Sequence, residues 1–407
     1  MAVETLKCRL CEAEYPAVAT GSCAQCFGPL DPVYDWDSVA RAVSRERIEA
    51  GPRSLWRYEP LLPVAAPPDA ASGAGFTPLV AAPRLAQAVG VGELFLKLDH
   101  TNPTHSFKDR VVGVASAKAL ELGAETLACA STGNLGNAVA ARAAALGMRS
   151  VVLYPVTVEP EKLRATAVYG GHMLAVRGTY DDCSRLVVEL SGELDWAFVN
   201  VNLRSYYAEG SKTLAFETAE QLGWQFPDAV ISPVASGSLF TKLWQGFQQL
   251  ERVGLVDGAL PRLHGGQAEG CSPIAAAFAD ERPVVPVRPA TIAQSLAIGA
   301  PADGDLAVAT ARSSGGAIHA VPEDEVGANM ALLAEAAGIF GETAAGVTLG
   351  ALRAAVAAGQ VGESDRVVLL VTGTGLKTPG AVEVHESVEI AADVDEVLDE
   401  LGVAAAA

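Results

Sequence analysis

From residue 78 onward the chain alternates between two kinds of segment, and this alternation constrains the fold more than any other feature. Short apolar runs occupy 94–98 (LFLKL), 126–130 (TLACA), 150–154 (SVVLY), 173–176, 197–201 (AFVNV), 229–234, 263–268 and 367–372 (VVLLVT). Between them lie Ala-rich amphipathic stretches near 110–122, 136–147, 159–169, 180–192, 211–222, 238–253, 323–337 and 344–358. Strand-length runs that are apolar throughout, separated by helix-length segments, predict an α/β protein with open, mostly parallel sheets covered by helices. A chain of 407 residues is long enough for two domains. No repeat at a solenoid period is present. In open sheets of this type ligands bind at the carboxyl ends of strands, where loops lead into helix N-termini.

Composition narrows the function classes. Charged residues are 19% and mean hydropathy is +0.25, which excludes a mainly disordered chain. The net charge of −19 repels nucleic acid and anionic lipid, so a small-molecule enzyme is expected, with no nucleic-acid or membrane partner. An anionic ligand then needs a local positive site. The N-terminus shows no apolar signal core, and no uncharged apolar stretch reaches about 20 residues. The expectation is a cytoplasmic protein. Large α/β enzymes are often dimers, so a homodimer is expected.

Seven Cys are present, an odd number that argues against a disulfide framework. Four of them form Cys8-x-x-Cys11 and Cys23-x-x-Cys26. Two CxxC knuckles supply four thiolates, the donor set of a closed tetrahedral Zn2+ site. The plainer reading is four reduced thiols. A redox role is disfavoured because no βαβ unit surrounds either pair. Cys129, Cys183 and Cys271 sit in apolar surroundings and read as small buried hydrophobes. After this module, a connector rich in Trp, Arg and Glu is expected to hold one helix from Asp37 to Ala50, capped by Asp37 or Ser38.

Four strand-to-helix junctions carry chemistry. The first is Asn102-Pro103-Thr104-His105-Ser106-Phe107-Lys108-Asp109-Arg110. Ser106 is expected to cap the helix that follows. Lys108 then falls in the first turn, where the helix dipole disfavours a cation. That placement with partial burial would lower its pKa, as an amine nucleophile needs. The alternative is a surface ion pair with Asp109. The second junction, Ser131-Thr132-Gly133-Asn134, offers hydroxyls, an amide and backbone N–H groups for an anion. The third, Ala235-Ser236-Gly237-Ser238-Leu239, is a small-residue loop able to cradle a phosphate. It lacks both GxxxxGK[ST] and GxGxxG. The fourth is Thr372-Gly373-Thr374-Gly375-Leu376-Lys377, where a hydroxyl at a strand end can bond a heteroaromatic nitrogen.

These segments together resemble the threonine synthases, pyridoxal-phosphate enzymes of fold type II. The resemblance rests on NPTHSFKDR, TPL (77–79), STGN (131–134), EGSKTLAFE (209–217), QAEGCSPI (267–274), FGETAAGVTLG (340–350) and TGTGLK (372–377), in order over roughly residues 75–380. The paired CxxC is similar to a zinc-ribbon-like extension found on some members. The resemblance implies a two-domain fold, with a zinc-ribbon-like module at 1–32. A large cofactor domain would comprise 33–112 and 213–395, and a small substrate domain 113–212. It implies pyridoxal 5′-phosphate held as a Schiff base by Lys108, with Phe107 beside it. Asn134 would bond the cofactor's ring oxygen, the loop Ala235, Ser236, Gly237, Ser238 and Leu239 its phosphate, and Thr372 its ring nitrogen. A hydroxyl there, in place of an Asp, makes a weaker electron sink. Ser131 and Thr132 would hold the carboxylate of a small amino-acid substrate. The implied reaction is O-phospho-L-homoserine plus water to L-threonine plus phosphate, by γ-elimination and β-addition.

The chain departs from the family pattern at three places. Many members carry an Arg two residues before EGxKT; here that residue is Tyr207, with Arg204 three residues earlier. The usual Gly of NPTG is His105, a candidate substrate contact. The phosphate loop reads ASGS. Arg204, Lys212 and Arg110 are therefore the candidates for the substrate-phosphate cation. Two other functions compete: a related lyase (a threonine or serine dehydratase, or a β-replacement enzyme using O-phosphoserine), and a non-catalytic binding protein.

Overall fold

A computed structural model describes residues 3–67, 73–131, 133–156, 158, 160–383 and 387–403. Its strands are β1 (Thr5–Cys8), β2 (Glu14–Pro16), β3 (Leu30–Pro32), β4 (Leu79–Ala81), β5 (Glu93–Leu98), β6 (Thr126–Ala130), β7 (Arg149–Pro155), β8 (His172–Val176), β9 (Ala197–Phe198), β10 (Ala229–Pro233), β11 (Arg262–Ala268), β12 (Ile318–Val321) and β13 (Arg366–Val371). They form three sheets. A six-stranded sheet has the order β12-β11-β10-β13-β5-β4, a four-stranded sheet β8-β7-β6-β9, and a small N-terminal sheet β2-β1-β3. The four-stranded sheet is parallel throughout, as is the six-stranded sheet apart from the antiparallel edge strand β4.

The order of the large sheet follows from apolar content. β13 reads RVVLLV and is buried over its last five residues, so it lies between two neighbours with both faces covered. Its residues alternate between two cores. Val367, Leu369 and Val371 face a cluster with Leu96, Ile231 and the Ala-rich helix Thr343–Ala357. Val368 and Leu370 face the opposite cluster with Val230, Phe240, Leu243 and Phe247. Among the described residues no helix is long and apolar enough to cross a membrane.

Three expectations are corrected. The helix expected over Asp37 to Ala50 is two short helices, Trp36–Ala42 and Arg45–Glu49. Val43 is extended between them, and Ser44 accepts from Arg47 N at 3.2 Å to start the second. The first is capped by Asp35, whose carboxylate accepts from Ser38 N at 3.2 Å, and not by Asp37 or Ser38. The strand expected over 197–201 ends at Phe198. Val201 N turns back to Phe198 O at 2.9 Å, and Asn202 Oδ1 takes Phe198 N at 2.9 Å. The short strands β4 and β12 were hidden because three or four residues leave no readable period.

The N-terminal sheet docks on two parts of the chain at once. Asp31 of β3 takes Lys242 Nζ at 2.7 Å from the helix Ser238–Arg252. Tyr206 Oη reaches Val18 O at 3.4 Å. Gly21 lies so near Val201 O that a Cβ would approach it to 2.9 Å.

Candidate active site

β10, β13 and β5 are consecutive and parallel, so the loops after them share one edge of the large sheet. These are the loops at 234–237, 372–375 and 99–107, three of the four junctions read from sequence. The lysine loop is stitched to its neighbour. Ser106 pairs with Gly373 in an antiparallel bridge, Phe107 N donates to Thr372 O at 2.9 Å, and Thr374 N to His105 O at 3.2 Å. Ser106 therefore does not cap the helix Lys108–Glu121. Phe107 is the N-cap residue with no side-chain cap bond, and among the described residues the buried Ser106 Oγ has no hydrogen-bond partner. His105 is exposed at φ +60°, a left-handed conformation that favours Gly, as the family's NPTG pattern has there.

Lys108 opens its helix as expected. Burial lowers its amine to about 8, against the opposing pull of Glu342 and Cys129. At pH 7 an amine of pKa about 8 is roughly a tenth neutral, against about one part in 3,000 for ordinary lysine. The Phe107 ring lies 4.5 Å from Nζ. Nζ donates to Tyr207 Oη at 2.8 Å. Tyr207 reaches it because the helix Arg204–Glu209 packs directly on the lysine helix at Gly210. A Cβ on Gly210 would lie 2.5 Å from Arg110 O and 2.7 Å from Val111 Cα. Both obstacles are main chain. Gly210→Ala should thus cost about 3 kcal/mol, the upper end of overpacking costs, and draw Tyr207 away from Lys108. Urea unfolding checks the first effect; a loss below about 1 kcal/mol would contradict the close packing.

The small sheet contributes Asn134, which opens the helix Asn134–Ala145 after β6. Asn134 Nδ2 donates to both Glu342 carboxylate oxygens at 3.2 and 3.0 Å, and Lys377 Nζ donates to Asn134 Oδ1 at 2.8 Å and Thr104 O at 2.6 Å. Burial raises the Glu342 carboxyl and lowers the Lys377 amine. Asp109 is also buried and is raised to about 6, although Thr104 N and Oγ1 bond it at 2.8 and 2.9 Å. It is no surface partner for Lys108.

At the third loop, Gly237 has φ +92° and its Cβ position falls 2.6 Å from Asp303 O, so only Gly fits. Ser238 begins a helix of 15 residues whose first-turn N–H groups have no intrahelical acceptor. Ala235 packs against the large-sheet core and Leu239 against the opposite one. Ser236 O accepts from Asp303 N at 2.9 Å. Thr372 is buried at the end of β13.

Several expected substrate contacts are placed differently. Lys212 is fully buried and pairs with Glu209 at 2.5 Å, with Tyr34 Oη and Leu61 O as further acceptors. It is corrected from substrate cation to interior charge. Arg110 is likewise removed. It is fully buried, bonded to Asp99, Glu217, Thr77 and Thr213. Ser131 Oγ is turned onto its own loop, accepting from Gly133 N at 3.1 Å and Gly136 N at 2.8 Å. Thr132 lies outside the described residues. Arg204 is partly exposed, with Nη2 2.7 Å from Asp303 Oδ1, and it lines one cleft with Ser238. Sequence reading missed Glu342, Lys377 and Asp109 as site residues, although all three stand inside the quoted motifs.

Apart from this site, the sulfurs of Cys8, Cys11, Cys23 and Cys26 lie within 4.8 Å of one another. Leu10 N and Gln25 N each donate at 3.4 Å to Cys8 Sγ and Cys23 Sγ, the turn that aims a CxxC pair at one point. Cys129, Cys183 and Cys271 are buried, and burial raises each thiol, as inert cysteines require.

Comparison with known proteins places the chain in a family. The pyridoxal-phosphate dependent enzyme family matches residues 70–373. A threonine synthase of Methanosarcina acetivorans is 37% identical over 381 residues, covering 93% of each chain. A threonine synthase of Methanocaldococcus jannaschii is 36% identical over 92% of this chain and 93% of its own. Among solved structures, diaminopropionate ammonia lyase of Escherichia coli superposes with TM-score 0.65 at 19% identity, covering 85% of this chain and 90% of that one. Threonine deaminase isoform 2 of Solanum lycopersicum superposes with TM-score 0.62 at 19% identity, over 75% and 86%. The two superpositions establish the fold, and the near full-length identity to the archaeal enzymes establishes that this chain belongs to the pyridoxal-phosphate dependent enzymes and, among them, to the threonine synthases.

Proposed function

We propose that this chain converts O-phospho-L-homoserine and water to L-threonine and inorganic phosphate. The observation that carries the reading is the match to threonine synthases over more than nine-tenths of the chain, with a lowered lysine amine at the meeting of the sheet-edge loops. A substrate panel tests it. O-phospho-L-homoserine should yield threonine and phosphate. Consumption of L-threonine or O-phospho-L-serine, with none of O-phospho-L-homoserine, would contradict it.

The donor set fits pyridoxal phosphate. An amine near 8 suits an aldehyde. A 15-residue helix begins at a loop whose glycine conformation no other residue adopts cheaply. Asn134 already gives its amide to an anion, the Glu342 carboxylate, as it would to a ring oxygen. Lys108 would hold the aldehyde carbon and Asn134 the ring oxygen. The loop 235–239, through its amides and the Ser236 and Ser238 hydroxyls, would hold the phosphate, and Thr372 the ring nitrogen. Bound there, the cofactor supplies an electron sink that acidifies the substrate's carbon-bound protons.

The chain's own groups do the rest. Lys108, as a free amine, takes and returns protons at the substrate's carbons, with an affinity tuned toward neutral pH. Lys377 fixes the Asn134 amide by engaging its oxygen, so Nδ2 stays turned toward Glu342. Arg204 is the remaining candidate for the substrate's phosphate, since Lys212 and Arg110 are enclosed. We assign residues 113–212 to the small domain, supported by the strands of the four-stranded sheet, which all fall between Thr126 and Phe198.

The Cys quartet we assign as a structural zinc site. A tetrahedral Zn2+ with Zn–S of about 2.3 Å sets its sulfurs roughly 3.8 Å apart. The neighbouring pairs here are 3.4 to 3.5 Å apart. Four protein ligands leave no open position, so the ion would stabilise the fold and take no part in the chemistry. Metal analysis of purified protein should find about one zinc per chain, lost in Cys23→Ser together with a lower melting temperature. Equal zinc in both would contradict the assignment.

A further inference from the structure

The helix Arg204–Glu209 presents two side chains three residues apart, and so on one face, Arg204 and Tyr207. Tyr207 is only 9% exposed. Among the described residues its hydroxyl has one hydrogen-bond partner, Lys108 Nζ at 2.8 Å, from which it accepts. A phenol that accepts still has its own proton to give. Arg204 lies 2.7 Å from Asp303 Oδ1, yet among the described residues that oxygen makes no aligned hydrogen bond. The guanidinium therefore keeps donors for a second anion. One helix thus sets an anion-binding cation beside a proton donor, and the donor touches the reactive lysine.

We propose that Tyr207 is a catalytic acid. It gives its hydroxyl proton to the phosphate oxygen leaving the substrate's γ carbon and takes a proton back from Lys108. The step balances. Lys108, as a neutral amine, removes a proton from the β carbon and becomes an ammonium. The electron pair of that C–H bond forms the β,γ double bond. The γ C–O bond breaks, and its pair stays on the phosphate oxygen. Without a proton that phosphate departs as a trianion, a strong base. Tyr207 protonates the oxygen, the Lys108 ammonium reprotonates Tyr207, and both residues return to their starting forms. Arg204 holds the phosphate as its charge grows. Burial raises the Tyr207 phenol above its usual range, so it does not ionise alone. A proton crosses it only when Lys108 refills it, which couples proton removal at carbon to departure of phosphate.

This rests on the reaction proposed above, and Tyr207→Phe separates the two. Two rates are compared in holoenzyme of wild type and variant: phosphate release from O-phospho-L-homoserine, and exchange of the substrate's α proton with deuterated water. Cofactor affinity of the cofactor-free protein is measured by fluorescence titration. The expected result is a fall in phosphate release of about a hundredfold or more, the usual range for a lost general acid. Exchange should fall at least about tenfold less than release, because it needs Lys108 but no leaving-group proton. Cofactor affinity should stay within about threefold. Equal falls in both rates would make Tyr207 a positioning residue for Lys108 and overturn the acid role. Phosphate release unchanged in the variant would overturn it also, with the reaction left standing. Wild-type protein that exchanges the α proton but releases no phosphate would overturn the reaction, and the acid role with it.

Discussion

Lys108→Ala should form L-threonine at less than about a ten-thousandth of the wild-type rate and lose the visible absorbance of a lysine-linked cofactor. Two functions fail at once. The amine holds the cofactor, and it also moves the protons, a role worth about a hundred- to ten-thousandfold alone. Lys377 is engaged by Asn134 and Thr104, and Lys212 is sealed in a pair with Glu209. The variant should still fold, because among the described residues Lys108 makes one side-chain hydrogen bond, to a tyrosine whose ring stays packed. Unchanged absorbance in the variant would place the covalent site elsewhere.

Arg110→Ala should destabilise the chain by about 3–5 kcal/mol, a large part of a typical stability of about 5–15 kcal/mol. Arg110 lies two residues after Lys108 and is wholly enclosed. Its guanidinium joins Asp99 at 2.6 Å and Glu217 at 2.5 Å, while Lys97 reaches Glu217 at 2.7 Å. Removing it strands two carboxylates opposite one lysine, with no water to solvate them. The same cluster makes stability fall in acid. Burial opposes the Glu217 charge, yet Arg110 and Lys97 hold its carboxyl down to about 2. Its folded value is below its unfolded one, so this contribution is complete above the unfolded value of about 4.3 and is lost as pH falls toward 2. Urea titrations of wild type and variant check both effects. A loss under about 1 kcal/mol would contradict the view that this cluster anchors the lysine helix.

The parts of the site legible in sequence are those set by short-range order. A strand followed by a small-residue loop and a helix places Lys108, Asn134, Ser238 and Thr372 at strand ends, and parallel pairing brings three of those ends to one edge. The Cys spacing likewise brings four sulfurs together, because each knuckle closes within four residues. What was not legible depends on distant partners. A motif shows that Lys212 and Arg110 are charged, but only the folded chain shows Glu209, Asp99 and Glu217 already neutralising them. Ser106 has the chemistry of a cap, yet its backbone is taken by Gly373 across a gap of more than 260 residues. The contact between Tyr207 and Lys108 spans 99 residues and needs Gly210, whose role is invisible until the two helices touch.

The central claim is tested most directly by running the reaction on O-phospho-L-homoserine in water enriched in the heavy oxygen isotope. Elimination at the γ carbon and addition at the β carbon predict L-threonine carrying the label in its hydroxyl, with one unlabelled phosphate per threonine. Labelled phosphate with unlabelled homoserine would show simple ester hydrolysis, and 2-oxobutyrate in place of threonine would show a deaminating lyase. Either result would contradict the account.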